Sequence, residues 1–372
     1  MEGADTRGQE TEAAMATKIL DERKQKELQP GYGLWKQYRP SEAEFAFKAE
    51  NAAAARRWQT RTRRALGETI GYQDAEQVAP RPRRIERVDK GDYVREKVVI
   101  RVGEHAVMPV YLLLPKGVSG PVPTVVAFHG HGYGVKDIVG LWEDGQERDV
   151  PDGYHKDFGV ALCRRGFAVA APEISCFGER QTDFSYLNTT IGQGAASTCT
   201  HSAMLAFHLG ASVVGLRVAE ARRLVDYLET RDDLDTDRLG AMGISGGGMH
   251  TFFSTCMDVR LKACVVSGYY CTFRDSILAM SHCACNFVPG LSRFGEMQDL
   301  VGLIAPRPML VEAATYDCIF PIASVKKSVA RARQVYGVLG ARGAVATDYF
   351  SGRHQISGAK AYDFLAEKLG LD

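Results

Sequence analysis

A serine flanked by glycines is the residue in this chain best placed for nucleophilic chemistry. Gly243-Ile244-Ser245-Gly246-Gly247 follows the apolar, strand-like run 239–242 and precedes residues that can begin a helix. In a G-x-S-x-G turn of this kind the serine hydroxyl projects from the chain, and the next backbone N–H can stabilise an oxyanion. A glycine-rich turn that merely contains serine is the alternative, so the prediction of a serine hydrolase depends on partners elsewhere in the chain.

A histidine and an aspartate follow the serine in the order expected of a catalytic triad. His354 comes directly after the strand-like run 344–350, and Asp317 after the strand-like run 309–313. The histidine would take the serine proton as general base, and the aspartate would orient the imidazole and stabilise its charged form. An ordinary surface histidine is the alternative for His354. Glu312 is the rival acid, but it lies within its strand rather than past the end, so Asp317 is preferred.

The second donor of an oxyanion hole is predicted in the run His129-Gly130-His131-Gly132, which follows the apolar, strand-like segment 124–128. Glycines let the backbone turn an N–H towards a developing negative oxygen. We therefore predict an oxyanion hole formed by the backbone N–H groups of His131 and Gly246. A metal site at His129 and His131 is the alternative, although no nearby Asp, Glu or Cys completes such a set at a familiar spacing.

The nine cysteines do not form a recognisable framework. Their number is odd and their spacing irregular, which disfavours a set of disulfides. The group His282-Cys283-Ala284-Cys285 suggests zinc, but no second ligand pair follows at finger or ribbon spacing, so packing is the preferred interpretation. The sequence therefore predicts no metal and no cofactor.

Length and charge favour an enzyme that acts on a small molecule. The chain has 372 residues and a formal net charge of only +1, and its basic and aromatic residues do not cluster, so no nucleic-acid surface is expected. No apolar run approaches the roughly 20 residues that span a bilayer, so no membrane partner is expected. The N-terminus, Met1-Glu2-Gly3-Ala4-Asp5, lacks the basic and apolar regions of a secretion signal, which predicts a cytoplasmic protein.

The chain is predicted to have three parts. Residues 1–30 are polar and charged and have the character of a mobile tail. Residues 31–90 are predicted to be a helical extension and linker, with a capping-box pattern that opens a helix over 41–66 and a charged linker at 80–84. Residues 91–372 are predicted to form the catalytic domain.

Strand-like and helix-like segments alternate through most of that domain. This alternation predicts a mostly parallel sheet with helices on both faces and an active site at the carboxyl ends of the strands, which is the α/β-hydrolase fold. Long segments at 132–155, 176–205 and 268–303 interrupt it and are predicted to form lids or pocket walls. Contacts in a homo-oligomer are a compatible alternative. The residues predicted to line the substrate pocket are His129, Tyr269, Tyr270, Phe273 and Phe287.

Several motifs resemble a known family. They are His129-Gly130-His131-Gly132, Ser175-Cys176-Phe177-Gly178-Glu179-Arg180, Gly243-Ile244-Ser245-Gly246-Gly247-Gly248, Val266-Ser267-Gly268-Tyr269, the runs 273–280 and 285–291, and Ile304-Ala305-Pro306-Arg307-Pro308. From about Val98 to its end, the chain resembles the α/β-hydrolase branch that contains acetyl xylan esterase-like and dienelactone hydrolase-like proteins. The resemblance implies an esterase with Ser245, Asp317 and His354 as its triad.

The predicted reaction is two-step acyl transfer from a small ester to water. An enclosed site predicts short acyl chains, acetyl foremost, on a sugar or another small polar alcohol, and the resemblance implies the same. An acyltransferase, or a hydrolase or lyase that cleaves a C–C bond with the same nucleophile, is the competing class. A non-catalytic binding protein is a further alternative, which the complete triad disfavours.

Overall fold

The computed structural model describes residues 22–71, 78–184 and 198–371, and it is built around one nine-stranded sheet. The strands are β1 (Arg83–Asp89), β2 (Tyr93–Gly103), β3 (Ala106–Pro115), β4 (Val122–Phe128), β5 (Ala168–Pro172), β6 (Leu234–Ile244), β7 (Ala263–Ser267), β8 (Met309–Ala314) and β9 (Val345–Phe350). The helices are α1 (Glu22–Glu27), α2 (Pro30–Gln37), α3 (Ala52–Ile70), α4 (Phe158–Arg164), α5 (Thr198–His208), α6 (Val213–Leu228), α7 (Gly246–Met257), α8 (Met297–Leu300), α9 (Ile322–Val338) and α10 (Ala361–Leu369).

The strand order places the ends of the parallel strands along one edge of the sheet. In space the strands follow the order β1-β2-β3-β5-β4-β6-β7-β8-β9. Along this spatial order, neighbouring strands are antiparallel from β1 through β3 to β5. From β5 through β4 to β9, every neighbouring pair is parallel. Strand β4 lies between β5 and β6, so the chain continues from β4 to a strand on one side and later to strands on the other side. This reversal of direction leaves a crevice at the carboxyl ends of the strands. The predicted α/β-hydrolase fold is confirmed.

Helices cover both faces of the sheet. Alternate residues of β4 enter different cores, with Val126 and Phe128 on one face and Val125 and Ala127 on the other. The first face packs against α3, α6, α7 and α9, and the second against α4 and α10. Neither face of the sheet meets water, so residues on both sides of the central strands are apolar. This explains why their sequences are continuous apolar runs and do not alternate between apolar and polar residues.

None of the helices in the described ranges is by itself long and apolar enough to cross a membrane. The consecutive helices α5 and α6, which are bent by 97° relative to each other, meet the requirement of length and composition only as a pair.

The predicted helix over 41–66 is wrong at both ends. The long helix begins at Ala52, where the Asn51 side chain caps it by accepting a hydrogen bond from the N–H of Ala54. It continues to Ile70 and ends at Gly71, which has a φ of 77°. Asn is a strong helix cap, and the segment before it is held extended by tertiary contacts that the capping-box pattern does not report.

The predicted linker at 80–84 is also wrong, because Arg83 and Arg84 begin β1. This strand lies at the edge of the sheet and pairs with β2. Arg84 and Arg87 both form ion pairs with Glu96 of β2, at 3.5 and 3.7 Å. The charged run is therefore an edge strand whose charges discourage pairing with another chain, and the sheet begins earlier than residue 91.

The N-terminal extension packs against the insertion 268–303. Phe45 stacks on Phe294 with ring centroids 4.9 Å apart, and its N–H donates to the carbonyl of Arg293 at 2.9 Å. The Tyr38 hydroxyl donates to Glu296 at 2.8 Å. The extension is thus part of the wall that supports the insertion.

Trp58 is the largest anchor of this packing, and its loss is expected to be costly. It is 9% exposed, donates from Nε1 to the carbonyl of Phe45 at 3.0 Å and packs against Phe47 and Gly302. Trp58→Ala should lower the free energy of unfolding by about 3 kcal/mol or more, because it leaves a cavity. Trp35→Ala, at a 44% exposed site, is the control and should change it by less than about 0.5 kcal/mol in urea denaturation. Equal losses in the two variants would contradict the anchoring role.

Candidate active site

Ser245 lies on a strained turn between β6 and α7. Its φ of 58° and ψ of −119° are rare for a residue with a side chain. The turn passes so close to β4 that a Cβ on Gly247 would lie 1.9 Å from the carbonyl oxygen of Phe128, and one on Gly243 would lie 2.4 Å from the carbonyl oxygen of Gly247. The N–H of Ser245 donates to the carbonyl of Ser267 at 3.1 Å. The glycines are therefore required by close backbone approach.

Asp317 and His354 come together at the carboxyl ends of β8 and β9. Nδ1 of His354 lies 2.6 Å from Oδ2 of Asp317. The other carboxylate oxygen, Oδ1, accepts hydrogen bonds from the N–H groups of Ile319 at 2.8 Å and Phe320 at 3.2 Å. The Asp317 side chain is only 2% exposed, so it is held by its own loop with one oxygen directed at the imidazole. This is the geometry of an acid that orients a general base.

The His354 ring is held between two aromatic side chains. Its centroid lies 5.4 Å from that of Tyr154 and 5.9 Å from that of Phe320. Its Nε2 is buried and forms no hydrogen bond within the described part of the chain. In particular, it forms none with Ser245. Hydrogen bonds of a general base are often long or absent before substrate binds, so the free Nε2 is compatible with the predicted role of His354.

Glu312, the rival acid, has a different set of partners. It accepts hydrogen bonds from the hydroxyl of Ser267 at 2.7 Å and from the N–H groups of Ser357 at 3.0 Å and Gly358 at 2.8 Å. Burial raises the pKa of its carboxyl group. Glu312 therefore fixes the turn that follows His354, whereas Asp317 is the acid hydrogen-bonded to the imidazole.

The loop predicted to complete the oxyanion hole is fixed by two side chains from the insertion 132–155. The N–H of Gly130 donates to Nε2 of His155 at 2.7 Å, and the Tyr154 hydroxyl donates to the carbonyl of His131 at 2.6 Å. A Cβ on Gly246 would lie 3.8 Å from the backbone nitrogen of His131. Among the described residues, neither the N–H of His131 nor that of Gly246 donates to a protein acceptor. Both remain available to a substrate oxygen.

His155 supports this loop as a neutral ring. Burial lowers its pKa. Because Nε2 accepts from Gly130, the proton is assigned to Nδ1, which lies 2.7 Å from Oδ2 of Asp137. Sequence reasoning missed Asp137, Tyr154 and His155, since no periodicity or spacing links them to the nucleophile. Their place in a long insertion after a strand end was the available signal.

Two of the predicted pocket residues lie in the core instead. The His129 side chain is fully buried, where Nε2 accepts from the N–H of Ile174 at 3.1 Å and lies 3.2 Å from Glu173. Tyr270 is buried under the insertion, with its hydroxyl 3.4 Å from the carbonyl of Ser328. The prediction was wrong for both because burial at a strand end looks the same in sequence as exposure to a pocket.

The other predicted pocket residues lie around the insertion. Tyr269 is buried with its ring centroid 5.4 Å from that of Phe320, and so lies behind the ring that packs on His354. Phe273 and Phe287 line an apolar cavity of about 190 Å³ whose lining does not include the candidate triad. They therefore shape the insertion next to the site.

Comparison with known proteins decides the family. A model of the Abhydrolase family, Abhydrolase_7, matches residues 14–336. The chain belongs to this family.

Relatives of this Abhydrolase_7 protein include a curated bacterial sequence. The "Putative hydrolase YtaP" of Bacillus subtilis (strain 168) is 26% identical over 262 residues, which cover 68% of this chain and 80% of that protein. This similarity supports the assignment of the enzyme as a hydrolase.

Solved structures share the fold at low sequence identity. A "putative acetyl xylan esterase" from Bacteroides fragilis NCTC 9343 has a TM-score of 0.71 and 18% identity, with coverage of 87% of this chain and 82% of that chain. A glucuronoyl esterase from Solibacter usitatus has a TM-score of 0.63 and 17% identity, with coverage of 88% and 97%. At these identities the likeness shows the α/β-hydrolase fold of the Abhydrolase_7 protein.

Proposed function

We propose that this carboxylic ester hydrolase cleaves short-chain acyl esters, acetyl foremost, of a small polar or sugar-like alcohol through an acyl-enzyme on Ser245. The observation that carries the proposal is the 2.6 Å contact between Asp317 and His354, with Nε2 of the imidazole left without a partner in the described chain. It is joined by the strained turn that carries Ser245 at the end of β6. These contacts support the assignment of His354 as the general base and Asp317 as the acid that orients it, with Ser245 as the nucleophile.

The proposed reaction has two halves. Nε2 of His354 takes the proton of Ser245 while the serine oxygen attacks the ester carbonyl. The N–H groups of His131 and Gly246 stabilise the resulting oxyanion. The C–O bond to the alcohol then breaks, and His354 returns the proton to the leaving oxygen. Water repeats the sequence on the acyl-enzyme and releases the carboxylic acid.

The surroundings of the imidazole favour small acyl groups. Tyr154 and Phe320 flank the His354 ring, and the N-terminal extension packs against the insertion 268–303 and braces it. A braced aromatic wall excludes long chains sterically. Two proteins that share the fold, a "putative acetyl xylan esterase" and a glucuronoyl esterase, have names that agree with an ester of a sugar-like molecule.

A series of p-nitrophenyl esters from acetate to decanoate tests the acyl preference. We expect kcat/KM to be highest for acetate or propionate and to fall for longer chains, because the flanking rings restrict the acyl site. The leaving group is constant across the series, so the differences report only the acyl chain. A steady rise of kcat/KM towards decanoate would contradict the enclosed site.

Labelling with a fluorophosphonate separates hydrolysis from other uses of the nucleophile. Peptide mass spectrometry should find the label on Ser245, and the unlabelled enzyme should hydrolyse the acetate ester. Labelling of Ser245 in an enzyme inert to every ester would favour the acyltransferase or C–C bond hydrolase or lyase, and absence of the label would remove Ser245 as the nucleophile.

A further inference from the structure

Four potential metal ligands from separate parts of the chain meet beside the predicted oxyanion loop. Their ligand atoms all lie within 4.8 Å of one another, and the residues are His131, Cys199, Cys283 and Cys285. Nε2 of His131 lies 3.6 Å from Sγ of Cys285, which in turn lies 3.1 Å from Sγ of Cys283. Cys199 and Cys285 are buried, and the other two ligands are partly buried.

These separations fit one tetrahedral ion. Zinc binds thiolate sulfur at about 2.3 Å and imidazole nitrogen at about 2.0–2.1 Å, so neighbouring ligand atoms in a tetrahedron lie about 3.5–3.8 Å apart. The separation of His131 and Cys285 falls within this range, that of Cys283 and Cys285 is shorter, and no separation exceeds 4.8 Å, so small side-chain rotations suffice. Three thiolates and one imidazole suit zinc, whereas Mg²⁺ and Ca²⁺ prefer oxygen ligands.

A buried guanidinium supplies a second, independent observation. The Arg217 side chain is fully buried, with Nη2 3.9 Å from Sγ of Cys199 and 3.0 Å from the carbonyl oxygen of Ser175. Within the described ranges, its Nε and Nη1 have no hydrogen-bond partner, and no carboxylate forms an ion pair with it. A buried cation needs a negative partner. One Zn²⁺ with three thiolates carries a formal charge of −1, which offsets the charge of Arg217.

We propose that His131, Cys199, Cys283 and Cys285 form a structural zinc site of the Cys3His type. All four positions of the tetrahedron are filled by the protein, which leaves none open for a reacting water. The ion joins the loop that carries His131 to the start of α5 and to the turn Ala284–Asn286 of the insertion. His131 uses Nε2 for the metal and keeps its backbone N–H for the substrate, so the site fixes the oxyanion loop against the insertion.

The sequence favoured packing at Cys283 and Cys285 because no second ligand pair followed at a familiar spacing. It likewise lacked a partner for His131. The fold supplies both missing partners, because it brings together His131 after β4, Cys199 in the first turn of α5 and the cysteine pair beyond β7. Spacing rules detect zinc sites built within one short segment, and this site draws on three.

Metal analysis of the wild-type chain tests the proposal without relying on any variant's folding. The protein is produced with zinc in the medium and purified in the absence of chelators, and elemental mass spectrometry should find about one zinc per chain. Replacement of the metal by Co²⁺ should give the thiolate-to-cobalt charge-transfer absorption of a tetrahedral site. Removal of zinc by a chelator should lower the melting temperature of the wild type.

Two outcomes would overturn the site. A metal-free protein in which all nine thiols react after denaturation would mean that the cluster is only packed. A metal-free protein with a mass lower by two hydrogens, and a disulfide mapped within Cys199, Cys283 and Cys285, would mean a redox pair.

Variants give the ligand assignment. Cys283→Ser and Cys285→Ser should each lose most of the bound zinc. Cys256→Ser, which changes a buried cysteine on α7 outside the cluster, is the matched control and should retain it. The zinc content is also measured in Ser245→Ala, where it should be unchanged, so failure of the zinc site and failure of the esterase proposal give different results.

Discussion

Ser245→Ala is expected to lower kcat for p-nitrophenyl acetate by on the order of 10⁶, the loss seen when a serine nucleophile is removed from another triad enzyme. The alanine has no oxygen to form the acyl-enzyme, while His354 and Asp317 remain to polarise water only weakly. The variant should fold, because the strained backbone at φ 58° is held by the close approach of β4 and not by the hydroxyl. The rate is measured against a no-enzyme blank.

Ser254→Ala is the matched control for this experiment. Ser254 is a buried serine on α7, the helix that follows Ser245, and its hydroxyl has no hydrogen-bond partner in the described structure. Its loss should leave kcat within a factor of about two, because this hydroxyl forms no hydrogen bond that the substitution could break and lies outside the candidate triad. Equal turnover by Ser245→Ala and wild type would remove the serine mechanism.

The fold was largely predictable because the parallel strands are buried on both faces. Segments such as 124–128 and 309–313 are apolar throughout, and each is bounded by turn residues, so their strand character is local information. The N-terminal extension was predicted less well. Phe45 is held in an extended segment by Phe294, a residue about 250 positions away, and no local pattern reports such a contact.

The candidate site was likewise predictable only in part. Ser245, Asp317 and His354 each follow a strand end, so their convergence follows from the topology of a parallel sheet. Tyr154 and His155 contact the oxyanion loop through hydrogen bonds that depend on how an irregular insertion folds, and sequence spacing carries no signal for them. The prediction that His129 lines the pocket was wrong for a related reason. Its neighbour Glu173 follows a different strand, and no sequence spacing reports that contact.

Asp317→Asn is expected to lower kcat by on the order of 10⁴, as the loss of the correct histidine tautomer does in a comparable triad. Oδ1 of Asp317 accepts from the N–H groups of Ile319 and Phe320, so the amide oxygen of asparagine must occupy this position. The amide nitrogen then faces Nδ1 of His354 as a donor. The ring must accept on Nδ1 and carry its proton on Nε2, where it can no longer take the proton of Ser245.

Glu312→Gln is the matched control, since it converts the rival acid, which is buried within β8, to its amide in the same manner. Its carboxyl group has no bond to His354, and burial raises its pKa, so glutamine resembles the neutral form that burial favours. We expect kcat to fall by less than about tenfold, with some loss of stability because one of the hydrogen bonds to Ser267, Ser357 or Gly358 is lost. If Glu312→Gln loses activity as strongly as predicted for Asp317→Asn while Asp317→Asn stays active, the acid of the triad is Glu312. The ratio of the two kcat values therefore assigns the acid directly, independently of the identity of the substrate.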